Sequence, residues 1–342
     1  LLINKDQSLL ILHLRTFIPY FLFLYMITDE KQVFRILWVF LIFGLIAGIY
    51  GIYCIKFGIG HSDRGVYRIS SFFENPNTWG QVNTLLIPLA ISLFIFYKSK
   101  IYKIFIFSII LLLLLGILAS NSRMCFFALL PTVFFVVLKF YSGHNKIFAF
   151  VVTIFALLFT YYILPDSFKW KYMNRITNVM QSEEIAEVDS GRSTTFKVGF
   201  KIMLDNPIFG VGFTGYREKY AEMAISDPDI ELFKGARTDE PLKPHNILSE
   251  TGAFLGVIGL FLYLLLLLTA YKCAKNSQHR FELLGNQRMK VASIFMQSFL
   301  LCSFVLGQFT PFLTSKFFWM ILPICARLET LSIQRYKEKY DG

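Results

Sequence analysis

The sequence is poor in charge. Only 17% of its 342 residues are Asp, Glu, Lys or Arg, against about 25% in an average soluble domain, while 55% are hydrophobic. That shortage excludes an ordinary soluble protein. Cysteine is scarce as well: Cys54, Cys125, Cys273, Cys302 and Cys325 are scattered, mostly within or at the ends of apolar runs, with no C-x-x-C pair. A disulfide framework and a zinc site are both unsupported. The five histidines lie apart and no H-E-x-x-H occurs, so metal ligation has no pattern behind it.

What is abundant is apolar length. Nine runs of roughly 18 to 25 mostly apolar residues lie at about 8–28, 33–55, 81–97, 101–120, 123–140, 146–164, 246–271, 291–310 and 314–334. Each is long enough to cross a hydrocarbon core about 30 Å thick. The expected fold class is all-α, a polytopic transmembrane helix bundle of about nine spans with one long, partly helical loop. The spans use about half the chain, so no large soluble catalytic domain fits beside them. The expected organisation is N-terminal transmembrane helices over 1–164, an extracytoplasmic loop with amphipathic helices over 165–245, and C-terminal transmembrane helices with a cytoplasmic tail over 246–342. Residues 8–28 exceed a signal-peptide apolar core and lack a small-residue cleavage site, so they count as a span.

The formal charge is +11. Between Pro165 and His245, eleven Lys and Arg face thirteen Asp and Glu, a local balance of −2, so the other segments carry +13. Nucleic-acid binding needs basic residues gathered on one face with stacking aromatics, whereas here the aromatics lie inside apolar runs and the basic excess flanks them. In the short connections, fifteen Lys and Arg fall on one side and six on the other, which makes the first side cytoplasmic. The loop from Pro165 to His245 then faces outward, and so does Leu1. If the native N-terminus is cytoplasmic, an odd number of further spans is expected upstream.

A loop this long is functional or disordered, and its composition is that of a folded element. RSTTFKVGFKIML places Phe196, Phe200 and Met203 at helical spacing, with Lys197 and Lys201 off that face, and stops at Asn206-Pro207; such a helix could lie on the membrane surface. A second short helix is expected over 216–224, with Tyr216, Tyr220 and Met223 on one side. QSEEIAEVDSG and SDPDIE read as solvated connections, and Asp227-Pro228-Asp229, a D-x-D, reads as loop.

Embedded cations need a reason. Arg123 follows Ser-Asn-Ser at the start of a span. Two readings fit it: snorkelling to the interface, or an anion site built on the planar guanidinium fork. Arg15, with His13 nearby, reads as a buried polar contact or an interfacial anchor. Arg64 and Arg68 precede Asn75-Pro76-Asn77, a turn and helix start in which Asn77 can cap the next span. Gly210, Gly212 and Gly215 permit tight turns but match neither a P-loop nor a G-x-G-x-x-G fingerprint. His245 stands between Pro244 and Asn246 where the chain re-enters the membrane, with Glu250 five residues on, off the same helix face. Gly252, Gly256 and Gly259 form a small-residue face suited to close helix packing.

The order of these blocks carries more than any one of them. R-I-S-S-F-F-E-N-P-N, then S-N-S-R at a span start, S-G-R opening a loop helix, D-N-P-I-F-G-V-G-F, and P-H-N-I-L-S-E-T-G-A-F-L-G-V-I-G together resemble the O-antigen ligase and O-antigen polymerase superfamily over roughly residues 64–270. The resemblance implies a metal-independent glycosyl transfer at the outer face of the cytoplasmic membrane, without cofactor. The implied donor is an oligosaccharide on undecaprenyl pyrophosphate, and the acceptor is a glycan or lipid hydroxyl. It makes His245 the base and Arg123, Arg192, Arg68 and Arg217 the pyrophosphate ligands. Asn246, Asn77, Gly191, Gly210 and Gly212 support them. Ser71 stands where a Gly is frequent in the family.

The residue chemistry fits that role. The leaving group is already activated, so fixed positive charge near its oxygens is the chief need, and imidazole has an unperturbed pKa near 6.5, suited to a base. The rival of a different class is a lipid-linked oligosaccharide flippase or another polytopic transporter, which needs no base and usually has short outer loops.

Overall fold

The computed structural model describes residues 15–63, 66–140, 192–226, 244–310 and 315–340, with positions 147, 151, 154, 155 and 162. The expected span at 146–164 lies almost wholly outside the described residues. So do the start of the 8–28 span with His13, Gly191, the connections at 165–191 and 227–243, and the D-x-D at Asp227 and Asp229.

The chain is mostly helical. In order it forms α1 (residues 15–26), α2 (Glu30–Phe57), β1 (His61–Asp63), β2 (Val66–Arg68), α3 (Pro76–Phe96), α4 (Lys100–Ser120) and α5 (Arg123–Phe140). Then come α6 (Arg192–Asp205), α7 (Gly212–Ser226), α8 (Ile247–Leu283), α9 (Gln287–Gly307), α10 (Lys316–Ile321) and α11 (Pro323–Tyr340). Six of these, α2, α3, α4, α5, α8 and α9, are long and apolar enough to cross a membrane. The protein is a multi-pass membrane protein.

The six match the runs expected at 33–55, 81–97, 101–120, 123–140, 246–271 and 291–310, and those at 8–28 and 146–164 lie partly or almost wholly outside the described residues. The run expected as one span at 314–334 is divided into α10 and α11 at Leu322–Pro323, because proline has no N–H to continue a helix and is instead suited to start one. The all-helical expectation also omits one element. β1 and β2 form a two-stranded antiparallel ribbon with His61 opposite Arg68.

The described chain divides into two compact units. One, the ribbon unit, comprises 22–175, 270–303 and 321–342; the other, the loop unit, comprises 1–21, 176–269 and 304–320. In the ribbon unit α3 is the buried centre, packed against α4, α5 and α2. Close approach of α2 depends on Gly44, Gly48 and Gly51. A Cβ on Gly51 would stand 2.5 Å from the Trp79 ring, and one on Gly44 would stand 2.9 Å from Leu86. Small residues at such spacing let transmembrane backbones pack closely.

In the loop unit α6 and α7 pack on the first turns of α8 through Val198, Ile202, Tyr216, Tyr220, Ala253 and Phe254. The helix expected over 216–224 is α7, with Tyr216 and Tyr220 buried as the pattern required. On α6 the expected Phe196 and Phe200 face is exposed, and the side opposite packs on α8. Thr195, Val198 and Ile202 are buried there; both sides of this helix are apolar, and spacing alone cannot choose which of them packs.

α8 is broken at Gly256, which adopts φ 66°, ψ −166°. The break frees the Ala253 carbonyl and the Val257 N–H from their mutual helical bond. The turn after α6 takes up both. Val211 N–H donates to Ala253 O at 2.9 Å, and Val257 N–H donates to Pro207 O at 2.7 Å. Irregular backbone inside a span is tolerated where protein groups satisfy it in this way. Gly256 and Gly252 therefore serve the loop. A Cβ on Gly256 would sit 2.3 Å from Ile208 O, and one on Gly252 would sit 2.3 Å from Met203 Sδ.

Candidate active site

In the ribbon unit the candidate cations gather at one turn. α4 ends on Asn121, in the left-handed region at φ 49°, and α5 begins two residues later on Arg123. Ile69 N–H donates to Ala119 O at 3.0 Å, and the Arg68 Nε donates to Ser120 O at 2.9 Å. The strand carrying Arg68 is thus fastened to the turn that carries Arg123. Arg68 also donates through Nη2 to Asn77 Oδ1 at 2.5 Å. The cap of α3 is Asn75 rather than the expected Asn77. Its Oδ1 accepts from Asn77 N–H, and Pro76 takes the first helical position, where its missing N–H costs nothing. That leaves the Asn77 side chain to hold Arg68.

The two arginines differ in kind. Arg68 is 7% exposed and engaged by the protein. Arg123 is half-buried at the N-terminus of α5, and its guanidinium has no bonded partner among the described residues. Helix N-termini carry partial positive charge, so this turn adds dipole to guanidinium. Arg15 is exposed, which leaves the anchor reading and removes the buried contact.

In the loop unit the register of α6 against α8 brings two further residues to one end. Ser249 Oγ donates to Phe196 O at 3.2 Å. A Cβ on Gly199 would stand 2.2 Å from that same Oγ, and Met203 lies over Gly252. Rising numbers on one helix meet rising numbers on the other, so the helices run parallel. Arg192, the first residue of α6, precedes Phe196 by four residues, and His245 precedes Ser249 by four. Both stand beyond the contact at the same end, Arg192 about 6 Å along α6 and His245 two residues before α8 begins. Two positive helix ends point there together.

His245 is half-buried between buried Pro244 and half-buried Asn246. Asn246 caps α8 by accepting from Leu248 N–H at 2.9 Å and Ser249 N–H at 3.1 Å. Its Nδ2 donates to Gln308 Oε1 at 3.1 Å. The cap fixes the backbone on which His245 stands. Arg217 is half-buried on α7, next to buried Tyr216. Gly210 (φ 65°) belongs to the turn seated in the α8 break, and Gly212 (φ 71°) starts α7.

Sequence reasoning weighs Glu250 only against His245 and gives it no role. It is 1% exposed, and with Arg68 it is one of two buried charged side chains among the described residues. Burial is the first cause that raises the Tyr216 phenol well above its usual value, followed by the Tyr220 and Glu250 charges. The only signal in the sequence was an acid inside an apolar run.

The stretch of chain that carries most of these features, residues 108–264, matches a family model described as O-antigen ligase. Over this stretch, a little under half of its length, the chain is similar to that family. No curated protein matches the chain. The matched stretch begins within α4 and contains Arg123, Arg192, Arg217, His245, and the break at Gly256 with the turn that fills it. Arg68 and Asn77 precede it.

Proposed function

We propose that this O-antigen ligase-type membrane enzyme transfers glycan from undecaprenyl pyrophosphate to an acceptor hydroxyl, as a ligase or a repeat-unit polymerase, at the outer face of the cytoplasmic membrane. The observation that carries the reading is the parallel register of α6 and α8, which brings the backbone of Arg192 and His245 to one positive helix end. In the reaction, the bond between the anomeric carbon and the pyrophosphate oxygen breaks as the acceptor oxygen attacks from the opposite side, so the configuration inverts. His245 takes the acceptor proton. Arg123 and Arg192 hold the departing pyrophosphate, assisted by Arg68 and Arg217. Fixed cations already placed where charge develops need no reorganisation during the step. They stabilise the leaving group without a divalent metal.

Donor binding and turnover, measured separately on purified protein, test the assignment. His245→Ala should abolish product while the lipid-linked donor still binds within a few-fold. Arg123→Lys and Arg192→Lys should each lower kcat/KM by about tenfold or more, because a point charge replaces a bidentate fork. Unimpaired turnover by His245→Ala, or normal kinetics in both arginine variants, contradicts it.

A further inference from the structure

The exposed face of α6 continues into the turn that fills the α8 break. Phe200 is 45% exposed, Leu204 61% and Phe209 75%, and Phe196 and Ile208 are exposed beside them. Phe196 and Phe200 stack in near-parallel planes with centroids 6.3 Å apart. Lys197 and Lys201 are exposed on the adjoining strip. The neighbouring α7, in the same unit, presents the opposite surface: Glu218, Lys219 and Glu222 are exposed, with Lys219 Nζ 3.1 Å from Glu222 Oε2. One helix faces outward with charge and the other with phenyl rings.

The depth of α6 follows from its anchor. Between Glu250 and Lys272, α8 has no charged residue, a length of about 31 Å that matches one hydrocarbon core. Gly256 lies five residues inside that stretch, about 7.5 Å. The turn carrying Ile208 and Phe209 is bonded there through Pro207 O and Val211 N–H. Interfacial helices bury their apolar face by about 5–10 Å, the same depth.

We infer that α6 and its following turn form a membrane-inserted surface, whose occupant is the lipid of the leaflet nearest the loop. Phe196, Phe200, Leu204 and Phe209 lie among acyl chains, and Lys197 and Lys201 contact anionic headgroup phosphates. α7 faces water. The surface is a convex strip on one helix, shaped for a bilayer rather than for a single enclosed chain.

The test uses the full chain in nanodiscs of phosphatidylglycerol and phosphatidylcholine, with photoreactive p-benzoylphenylalanine placed singly at Phe200, Phe209, Glu218 or Glu222. Lipid adducts are counted by mass spectrometry after illumination. Positions 200 and 209 should give about tenfold more lipid adduct than 218 and 222. Equal yields at all four positions overturn the inference. For the lysines, Lys197→Glu combined with Lys201→Glu should remove a phosphatidylglycerol preference of about fivefold per lysine; an unchanged preference overturns their headgroup contact. Adduct yield does not depend on turnover, so this inference and the proposed transferase activity fail separately.

Discussion

The two arginines at the α4–α5 turn make separable predictions. Arg68 is bonded to Ser120 O and Asn77 Oδ1, so Arg68→Lys should lower stability by about 1–3 kcal/mol, since buried groups lose charged hydrogen bonds. Arg123 has no such partner among the described residues. Arg123→Lys should leave the melting temperature nearly unchanged, a change within about 0.5 kcal/mol, while lowering transfer. Thermal melts beside activity assays decide both. An equal loss of stability in the two variants would reject the division of roles. The hydroxyls of Tyr216 and Tyr220 are buried without a hydrogen-bond partner among the described residues. Tyr216→Phe should therefore keep or raise stability, by up to about 1 kcal/mol. Burial raises both phenols above their ordinary value. Their neutral forms thus favour the folded state below the unfolded pKa near 10, and that contribution is lost as pH climbs above it. Tyr216→Phe should shrink the alkaline loss measured by melts between about pH 9 and 11; an identical pH profile would reject it.

At the scale of elements, the break in α8 and the turn that fills it act as one part. Gly256→Ala puts a side chain at positive φ and within 2.3 Å of Ile208 O. The left-handed conformation alone costs about 1–2 kcal/mol, and the clash adds to it. Val211→Pro removes the N–H that reaches Ala253 O and should loosen the same junction. Limited proteolysis of the loop reads both. Protection equal to the parent chain would mean that the turn is not held by the break. The sequence contained D-N-P-I-F-G-V-G-F and the glycines of α8, yet not their relation. Gly252, Gly256 and Gly259 read as a packing stripe because glycine in a span has two uses, small size and positive φ, and spacing reports only the first. The Tyr216 and Tyr220 face of α7 was legible because its opposite face is charged. On α6 the Phe196 and Phe200 face was legible as well, but not which apolar side packs on α8, since Phe196 and Val198 are equally apolar. The division between α10 and α11 was marked by Pro323, whose effect on a continuous apolar run outweighs the run's length.

For the whole molecule, the legible features were those with a long physical signature: apolar runs that set a multi-pass helical architecture, and an ordered series of short blocks resembling one superfamily. The grouping of distant residues was invisible. Arg68 lies 52 residues before the carbonyl it holds, and Arg192 lies far from His245 in the chain, although α6 and α8 run in parallel register. The central claim is that these residues move a glycan between bonds rather than a lipid between leaflets. Its most direct measurement reconstitutes the purified chain with a defined undecaprenyl pyrophosphate oligosaccharide and an acceptor, in excess chelator. Released undecaprenyl pyrophosphate is then counted against new glycosidic bonds. One should be released for each bond formed, and none from His245→Ala. A donor recovered intact, having only changed leaflet, would contradict that claim.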